Sequence, residues 1–426
     1  MRFIHAADIH LDSPISALKP RGGEPARALA DSTRRAFTAM IDAAVDMGVD
    51  FVVIAGDLYD GDWPHISTGL FFAEQMVRLH QAGIRAAVVK GNHDAASKIT
   101  RHIATEMPNT VIFDHKRPQT VVWDDLGVAL HGQSFATGPV SANLAASYPP
   151  PRPGCLNIGV LHTAAEGRPG HDAYAPCTVG QLAAHGYDYW ALGHVHSREV
   201  LCEAPWIVFP GNLQARHVNE PGDKGFTIVT AEAGAIRRVE HHACDVLRWA
   251  RVTVDATGCA DVDSVNRRVQ AALTDAALAA GGRALAVRLT LAGETVAHHR
   301  LAADPEQVEA DCCGAAAWTG HDVWIERIRL KTRPPGTTST TLDAGAADAL
   351  DTLLRTMADV RTSPALLDGV RADAAALIDK LPPLARKHAG LEEIGDDLAA
   401  DIVAEAEALL LARLLDARPL DEGRTS

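Results

Sequence analysis

The chain of 426 residues is 47% hydrophobic and carries a formal net charge of −14. Two or three globular domains are therefore expected, and the acidity argues against a nucleic-acid partner, because phosphate contacts need Lys and Arg. No run of 18 apolar residues occurs, which excludes a membrane-spanning helix; only two apolar residues separate Arg2 from His5, so no secretory signal is expected; and seven scattered cysteines without a C-x-x-C pair read as reduced thiols of a cytoplasmic protein.

The first strand is short and runs from Phe3-Ile4 into Asp8-Ile9-His10. Residues 30–48 have a helical period, with Phe37, Met40, Ile41, Ala44 and Val45 on one face, and Gly48 suits the position after a helix end. VDFVVIAGD follows as a continuous apolar run, the mark of a strand buried on both faces. The pattern recurs in LHQAG-IRAAVVKGN and again, one residue shorter, in LAAHGYDYWALGH. Helix–strand alternation of this kind predicts parallel strands with right-handed crossovers. Short β segments are expected from 110 to 135, a buried strand at LNIGVLH and a β-rich run to about residue 245, giving a mixed α/β sandwich. A smaller β-α-β unit with a closing strand, DVWIERIRLKT, fills 246–331. TRPPGTTSTT (332–341) reads as a linker. Residues 342–426 read as helical, broken by Pro364 and Pro382-Pro383.

Each buried strand of the first 200 residues ends on a polar group: Asp8 and His10, then Asp57, then Asn92-His93-Asp94, then His162, then His194 and His196. Functional groups of open α/β sheets collect at the carboxyl ends of strands. Mixed carboxylate, amide and imidazole donors suit Mn²⁺, Fe²⁺ or Zn²⁺ better than Ca²⁺. So many donors exceed the needs of one ion and suit two, which requires a bridging carboxylate. Gly56, Gly91 and Gly193 stand where the turns must pass close to such ions.

The ordered set D-x-H, G-D-x-x-D, G-N-H-D, a single His and G-H-x-H resembles the calcineurin-like metallophosphoesterases. HAADIHLDS, GDLYDGDW and FPGNLQARHVNEPGDKGF narrow the resemblance to the SbcD/YhaO branch, nuclease subunits of DNA-repair complexes. It covers residues 1–235 in motif and the rest in layout. It implies a four-layer α/β sandwich core over 1–245, a small α/β capping domain over 246–331 and a helical C-terminal region. It further implies one ion on Asp8, His10, Asp57 and His196, and a second on Asp57, Asn92, His162 and His194, with Asp57 bridging. His93 would face the leaving group, with Asp94 orienting its ring. Some nucleases of the family carry a His three residues after the bridging Asp; here that place is Asp60, so the role of that His does not transfer.

The implied activity is Mn²⁺-dependent hydrolysis of DNA, with two divalent ions as cofactors. The branch pairs with a coiled-coil SMC-type ATPase, and 342–426 is the expected docking tail: Leu398, Ile402, Leu409, Leu410 and Leu414 mark an apolar face, with packing on its own domain as the alternative. A homodimer is left open. Residues 340–426 hold 17 Asp and Glu against 9 Lys and Arg, so much of the acidity lies outside the nuclease region. Trp63 and Tyr59 could stack a base, Arg216 could contact a phosphate, and His217 stands near a substrate path; loop packing, a surface salt bridge and a surface position are the respective alternatives. His5, His131, His241-His242 and His298-His299 fit no ligand position. Two rivals remain: the same fold acting on a small phosphoester, and a non-catalytic subunit with a structural site.

Overall fold

The structure is a computed structural model, described at residues 1–13, 31–60, 67–96, 107–167, 174–335 and 363–381 and at positions 356, 386, 402, 403 and 406. In chain order the elements are β1 (Arg2–Ala6), α1 (Ser32–Asp46), β2 (Phe51–Ala55), α2 (Ser67–Gln81), β3 (Arg85–Val89), α3 (Asn92–Ala96), β4 (Thr110–Ile112), β5 (Gln119–Trp123), β6 (Val128–Gly132), β7 (Leu156–His162), α4 (Val179–Ala184), β8 (Tyr189–Gly193), β9 (Glu199–Glu203), β10 (Trp206–Phe209), β11 (Gly225–Glu232) and β12 (Ala235–Ala243). They continue with β13 (Leu247–Asp255), α5 (Val262–Ala279), β14 (Ala284–Glu294), α6 (His298–Ala303), α7 (Pro305–Ala317), β15 (Val323–Arg333) and α8 (Pro364–Ile378). The chain forms two compact units. One comprises Met1–Arg251, Ala276–Arg288 and His321–Glu326; the other comprises Val252–Asp275, Leu289–Gly320 and the described residues from Arg327 onward.

The first unit contains two six-stranded sheets, ordered β12-β11-β1-β2-β3-β4 and β5-β6-β7-β8-β10-β9. The strands β1 to β4 are parallel, as are β6, β7, β8 and β10, with Phe3 beside Phe51 and His162 beside Gly193. Alternation along the strands explains the continuous apolar runs. Phe3, Phe51, Val53 and Ala55 face the second sheet and meet Val128, Ile158, Val160, Tyr189 and Ala191. Ile4, Val52 and Ile54 point the other way and pack under Phe37, Met40 and Ile41 of α1 and Phe72 and Met76 of α2. On the far side, Trp190, Leu192 and Phe209 are covered by Leu182 of α4 and by Tyr148. The result is helix, sheet, sheet, helix: a four-layer sandwich. Each fully buried Phe or Leu contributes roughly 1.5–3 kcal/mol by leaving water.

The elements β13, β14 and β15 make a third sheet in that order, with β15 at its edge. Helix α8 starts at Pro364, the first helical position, where the missing N–H costs nothing; this proline opens a helix rather than breaking one. Residues 336–341 of the expected linker, and Leu398, Leu409, Leu410 and Leu414 of the expected docking face, lie outside the described residues. Among the described residues, no helix is long and apolar enough to cross a membrane, and all seven cysteines are free thiols.

Candidate metal centre

The polar strand ends converge because parallel strands of both sheets finish at one edge: β1, β2 and β3 in one sheet, β7 and β8 in the other. The loops after β1 and β2 then run side by side. Asp8 N donates to Gly56 O at 3.0 Å, His10 N to Asp57 O at 3.0 Å and Leu11 N to Leu58 O at 2.9 Å, which brings Asp8 and His10 against Asp57. Holding them there bends the backbone into the left-handed region, at φ 51° for Asp8, 47° for His10, 51° for Asp57 and 107° for His194. Such conformations are uncommon outside glycine, and they collect at functional sites. Gly91 allows the close approach: a Cβ there would run into Asp57 Oδ1 and come within 2.8 Å of His162 Cε1.

Three groups of donor atoms are each mutually within 4.8 Å: Asp8, His10 and His196; Asp8, Asp57 and His162; and His10, Asp60 and His93. His10 Nε2 lies 3.3 Å from His196 Nε2 and 3.9 Å from Asp57 Oδ2. His162 Nε2 lies 3.5 Å from the same Asp57 Oδ2 and 3.0 Å from Asn92 Oδ1. The His194 ring stands 5.2 Å from the His162 ring, and its amide donates to both Asp8 oxygens at 3.0 Å. Asp57 Oδ1 accepts the His93 amide at 3.0 Å, leaving Oδ2 between the two histidine groups.

The imidazoles are oriented from behind. His162 Nδ1 donates to Ala55 O at 3.0 Å, which leaves its Nε2 lone pair facing the site. His196 Nδ1 lies 2.6 Å from Glu220 Oε1. Glu220 is itself fixed, its Oε2 accepting from Asn212 Nδ2 at 3.0 Å and from Arg216 N at 2.8 Å. Burial lowers the pKa of His10 and His196, and takes His162 down to about 3. All three are therefore neutral at pH 7, the form that binds a metal. Burial raises Asp8 well above the usual carboxylate range, with the nearby Asp57 charge adding to the effect, and pushes Asp57 up to about 6.

Neutral imidazole nitrogens facing one another across buried carboxylates form an arrangement that lacks positive charge. Divalent cations supply it, and the donor types match those of two-metal hydrolytic sites. The residues present therefore fit a pair of divalent ions.

His93 differs from its neighbours. Its ring is 41% exposed, and Nδ1 lies 2.7 Å from Asp60 Oδ1. Burial alone would lower its pKa, but the bond to Asp60 and the charges of Asp57 and Asp60 outweigh this and raise it. Asp60 also lies 3.5 Å from His10 Nδ1, accepts from Ser13 Oγ at 2.7 Å and faces Arg216 Nη1 at 3.5 Å. Burial would raise its carboxyl, yet the contacts with His10 and His93 hold it well below the usual range.

Two expectations are corrected here. The partner of the His93 ring is Asp60 and not Asp94. Asp94 accepts backbone amides from Leu58 at 3.1 Å, Tyr59 at 2.8 Å and Gly91 at 3.0 Å, so it ties the loop after β2 to the start of α3. Tyr59 is 3% exposed and packs edge-on to Phe72, which removes it as a base-stacking platform. Arg216 is at the site, between Asp60 and Ser13. His217 is at the rim, 3.5 Å from Glu220 Oε1. Trp63 lies outside the described residues. His5 is a packed core histidine, bonded to Tyr189 Oη and Leu192 O at 3.0 Å each. Glu220 carried no signal in the sequence beyond its place in the HVNEPGDKG segment.

Comparison with known proteins matches residues 1–198 to the calcineurin-like phosphoesterase model and residues 249–333 to the middle domain of metallophosphoesterase YhaO. The chain is 37% identical over 298 residues to the uncharacterized metallophosphoesterase YhaO of Bacillus subtilis, covering 69% of this chain and 72% of that protein. It is 25% identical over 301 residues to the DNA double-strand break repair protein Mre11 of Methanopyrus kandleri, covering 63% of this chain and 62% of that one. To Mre11 of Saccharolobus solfataricus it is 24% identical over 167 residues, 38% of this chain and 42% of that protein.

Proposed function

The chain belongs to the calcineurin-like phosphoesterase family, and we propose that it is a two-metal phosphodiesterase that hydrolyses DNA. One observation carries the reading: Asp57 Oδ2 faces His10 and His162 at once, at 3.9 and 3.5 Å, as a bridging carboxylate must. Asp8, His10, Asp57 and His196 would hold one ion; Asp57, Asn92, His162 and His194 would hold the other. Mixed oxygen and nitrogen donors suit Mn²⁺, Fe²⁺ or Zn²⁺, and Mn²⁺ is the ion that the family resemblance implies.

Held there, two such ions would supply Lewis-acid charge to a phosphodiester and lower the pKa of water. The chain's own groups do the rest. Glu220 and the Ala55 carbonyl fix His196 and His162 with their Nε2 lone pairs inward. Asp60 holds the Nδ1 proton of His93, so His93 Nε2 is the atom that gives its proton to the departing oxygen. Arg216 sets a guanidinium beside Asp60, where it neutralises that carboxylate and stands ready for a phosphate oxygen.

DNA as the substrate is supported by the relatives named for double-strand break repair. The net charge of −14 favours the second reading, a small phosphoester. A purified-protein assay with Mn²⁺ separates them by comparing labelled single- and double-stranded DNA with a panel of nucleotide phosphoesters. Metal-dependent, EDTA-sensitive DNA cleavage is expected; turnover of small esters alone would overturn the DNA reading.

A further inference from the structure

The second compact unit carries a charge pattern that the metal centre does not use. β15 reads VWIERIRLKTR, and its second half alternates: Arg327, Arg329, Lys331 and Arg333 at every other position. Alternate residues of a strand share a face. All four are exposed, whereas Thr332 on the opposite face is 8% exposed. β15 is the edge of the β13-β14-β15 sheet. Arg333 Nε is paired with Glu294 at 2.9 Å. The other nearby acid on the strand, Glu326, is taken by Arg288 at 2.8 and 2.7 Å. Arg327, Arg329 and Lys331 have no carboxylate partner among the described residues.

We propose that this stripe of β15 binds the phosphate backbone of DNA, a proposal that rests on the DNA reading above. Basic side chains do protect sheet edges from pairing with other strands, but an isolated charge is enough for that. A row of like charges on one face, in a chain of net charge −14, concentrates positive charge where a polyanion can lie over it. The geometry suits a polyanion with a regular repeat. Successive cations stand about 6.7 Å apart and the row is about 20 Å long. Consecutive phosphates of one strand follow a helical path, so neighbours stand farther apart than their ~3.4 Å axial repeat, and a short row of cations at this spacing can lie along that path. Contacts to phosphate carry no sequence information, so binding through this stripe is independent of sequence.

The test is the salt dependence of duplex DNA binding by the full chain, with EDTA present to prevent cleavage. Each phosphate neutralised contributes about −0.9 to the slope of log K against log salt. The triple variant Arg327→Gln/Arg329→Gln/Lys331→Gln should flatten the slope by about 2.7 and weaken binding roughly 10²–10³-fold at 0.1 M salt. The Arg327→Lys/Arg329→Lys variant should keep the wild-type slope, since only charge is required. Both should hydrolyse bis-p-nitrophenyl phosphate with Mn²⁺ as wild type does, which reports an intact fold and metal centre. A triple variant with an unchanged slope overturns the stripe and leaves the nuclease reading standing, whether β15 is bare or is covered by the acidic residues 342–426. A wild type that binds no DNA in EDTA overturns the stripe, and one that also fails to cleave DNA with Mn²⁺ while hydrolysing the small diester overturns both.

Discussion

Replacing Asp60 by Asn removes one charge beside His93 and changes almost no volume. In the wild type, Asp60 Oδ1 lies 2.7 Å from His93 Nδ1, a charge-assisted bond of the strong kind. It both orients the ring and raises its basicity. The Asp60→Asn side chain can still accept the Nδ1 proton through its carbonyl. Its amide then points toward Arg216 Nη1, a donor facing a donor. General acid catalysis is worth roughly 10²–10⁴-fold. The His93 ring is 41% exposed, so water screens the pair, and a loss of about 10²-fold in kcat is expected, at the low end of that range. The sign in pH follows. Activity needs protonated His93 and is lost as pH rises through its raised pKa; without the carboxylate the pKa falls, so the alkaline limb moves to lower pH. The assay compares DNA or a nucleotide diester, whose leaving alkoxide needs a proton, with bis-p-nitrophenyl phosphate, whose phenolate does not. The loss should appear with the first and nearly vanish with the second, with two ions still bound. Equal losses on both substrates would refute the proton-donor role, and loss of metal would make Asp60 a ligand, as its grouping with His10 and His93 allows.

Asp57→Asn should lose both ions and all hydrolysis, read as metal content of the purified variant; two ions retained would end the bridging assignment. Glu220→Gln should weaken metal affinity by about 10–100-fold, the usual cost of removing a carboxylate behind a ligating His, measured by Mn²⁺ titration of activity and by calorimetry. His5 is fully buried and its pKa is lowered to about 3, so its folded form takes up a proton later than the unfolded chain at about 6.5. Its contribution to stability is complete above that pH and is lost as pH falls, by about 2 kcal/mol at pH 5; urea melts in EDTA at pH 7 and 5 should therefore show a smaller pH loss for His5→Gln than for wild type. Truncation before Pro382 should leave Mn²⁺-dependent hydrolysis of small diesters near wild type and abolish pull-down of a coiled-coil ATPase; retained binding would move the docking surface elsewhere.

The fold was legible where the signal was local. Phe37, Met40, Ile41 and Ala44 mark the buried face of α1 by spacing alone and all four are fully buried, whereas Val45, placed on the same face by its spacing, is 38% exposed. The runs at β2 and β8 are apolar throughout because residues on both faces are covered, by the other sheet and by a helix. Strand ends were legible for the same reason: a polar group after a buried run is conspicuous. The groups behind the imidazoles were not. Asp60 and Glu220 reach His93 and His196 only through the fold, and nothing near them in the sequence announces the pairing. Asp94 misled by adjacency. On a helix, successive side chains diverge by about 100°, so when His93 turns toward the metal edge, Asp94 must face elsewhere, and it finds the amides of Leu58, Tyr59 and Gly91.

The acid at position 60 also bears on how an acidic protein could hold DNA. Asp8, Asp57, Asp60, Asp94 and Glu220 are gathered in or behind one sheet edge, against the cations Arg216 and Lys224, and Lys224 Nζ donates to His196 O at 2.9 Å. Without ions, that edge repels a phosphodiester. A histidine in place of Asp60 would have left Arg216 free to meet the phosphate; here part of its charge goes to a carboxylate 3.5 Å away. The aspartate thus trades phosphate attraction for a His93 ring that is oriented and stays protonated to higher pH. The attraction must then come from bound divalent ions at the site and from cations elsewhere in the chain. Among the described residues, the alternate positions of β15 gather such cations in a row, so under the proposed reading phosphate affinity and phosphodiester chemistry would fall to different residues of one chain.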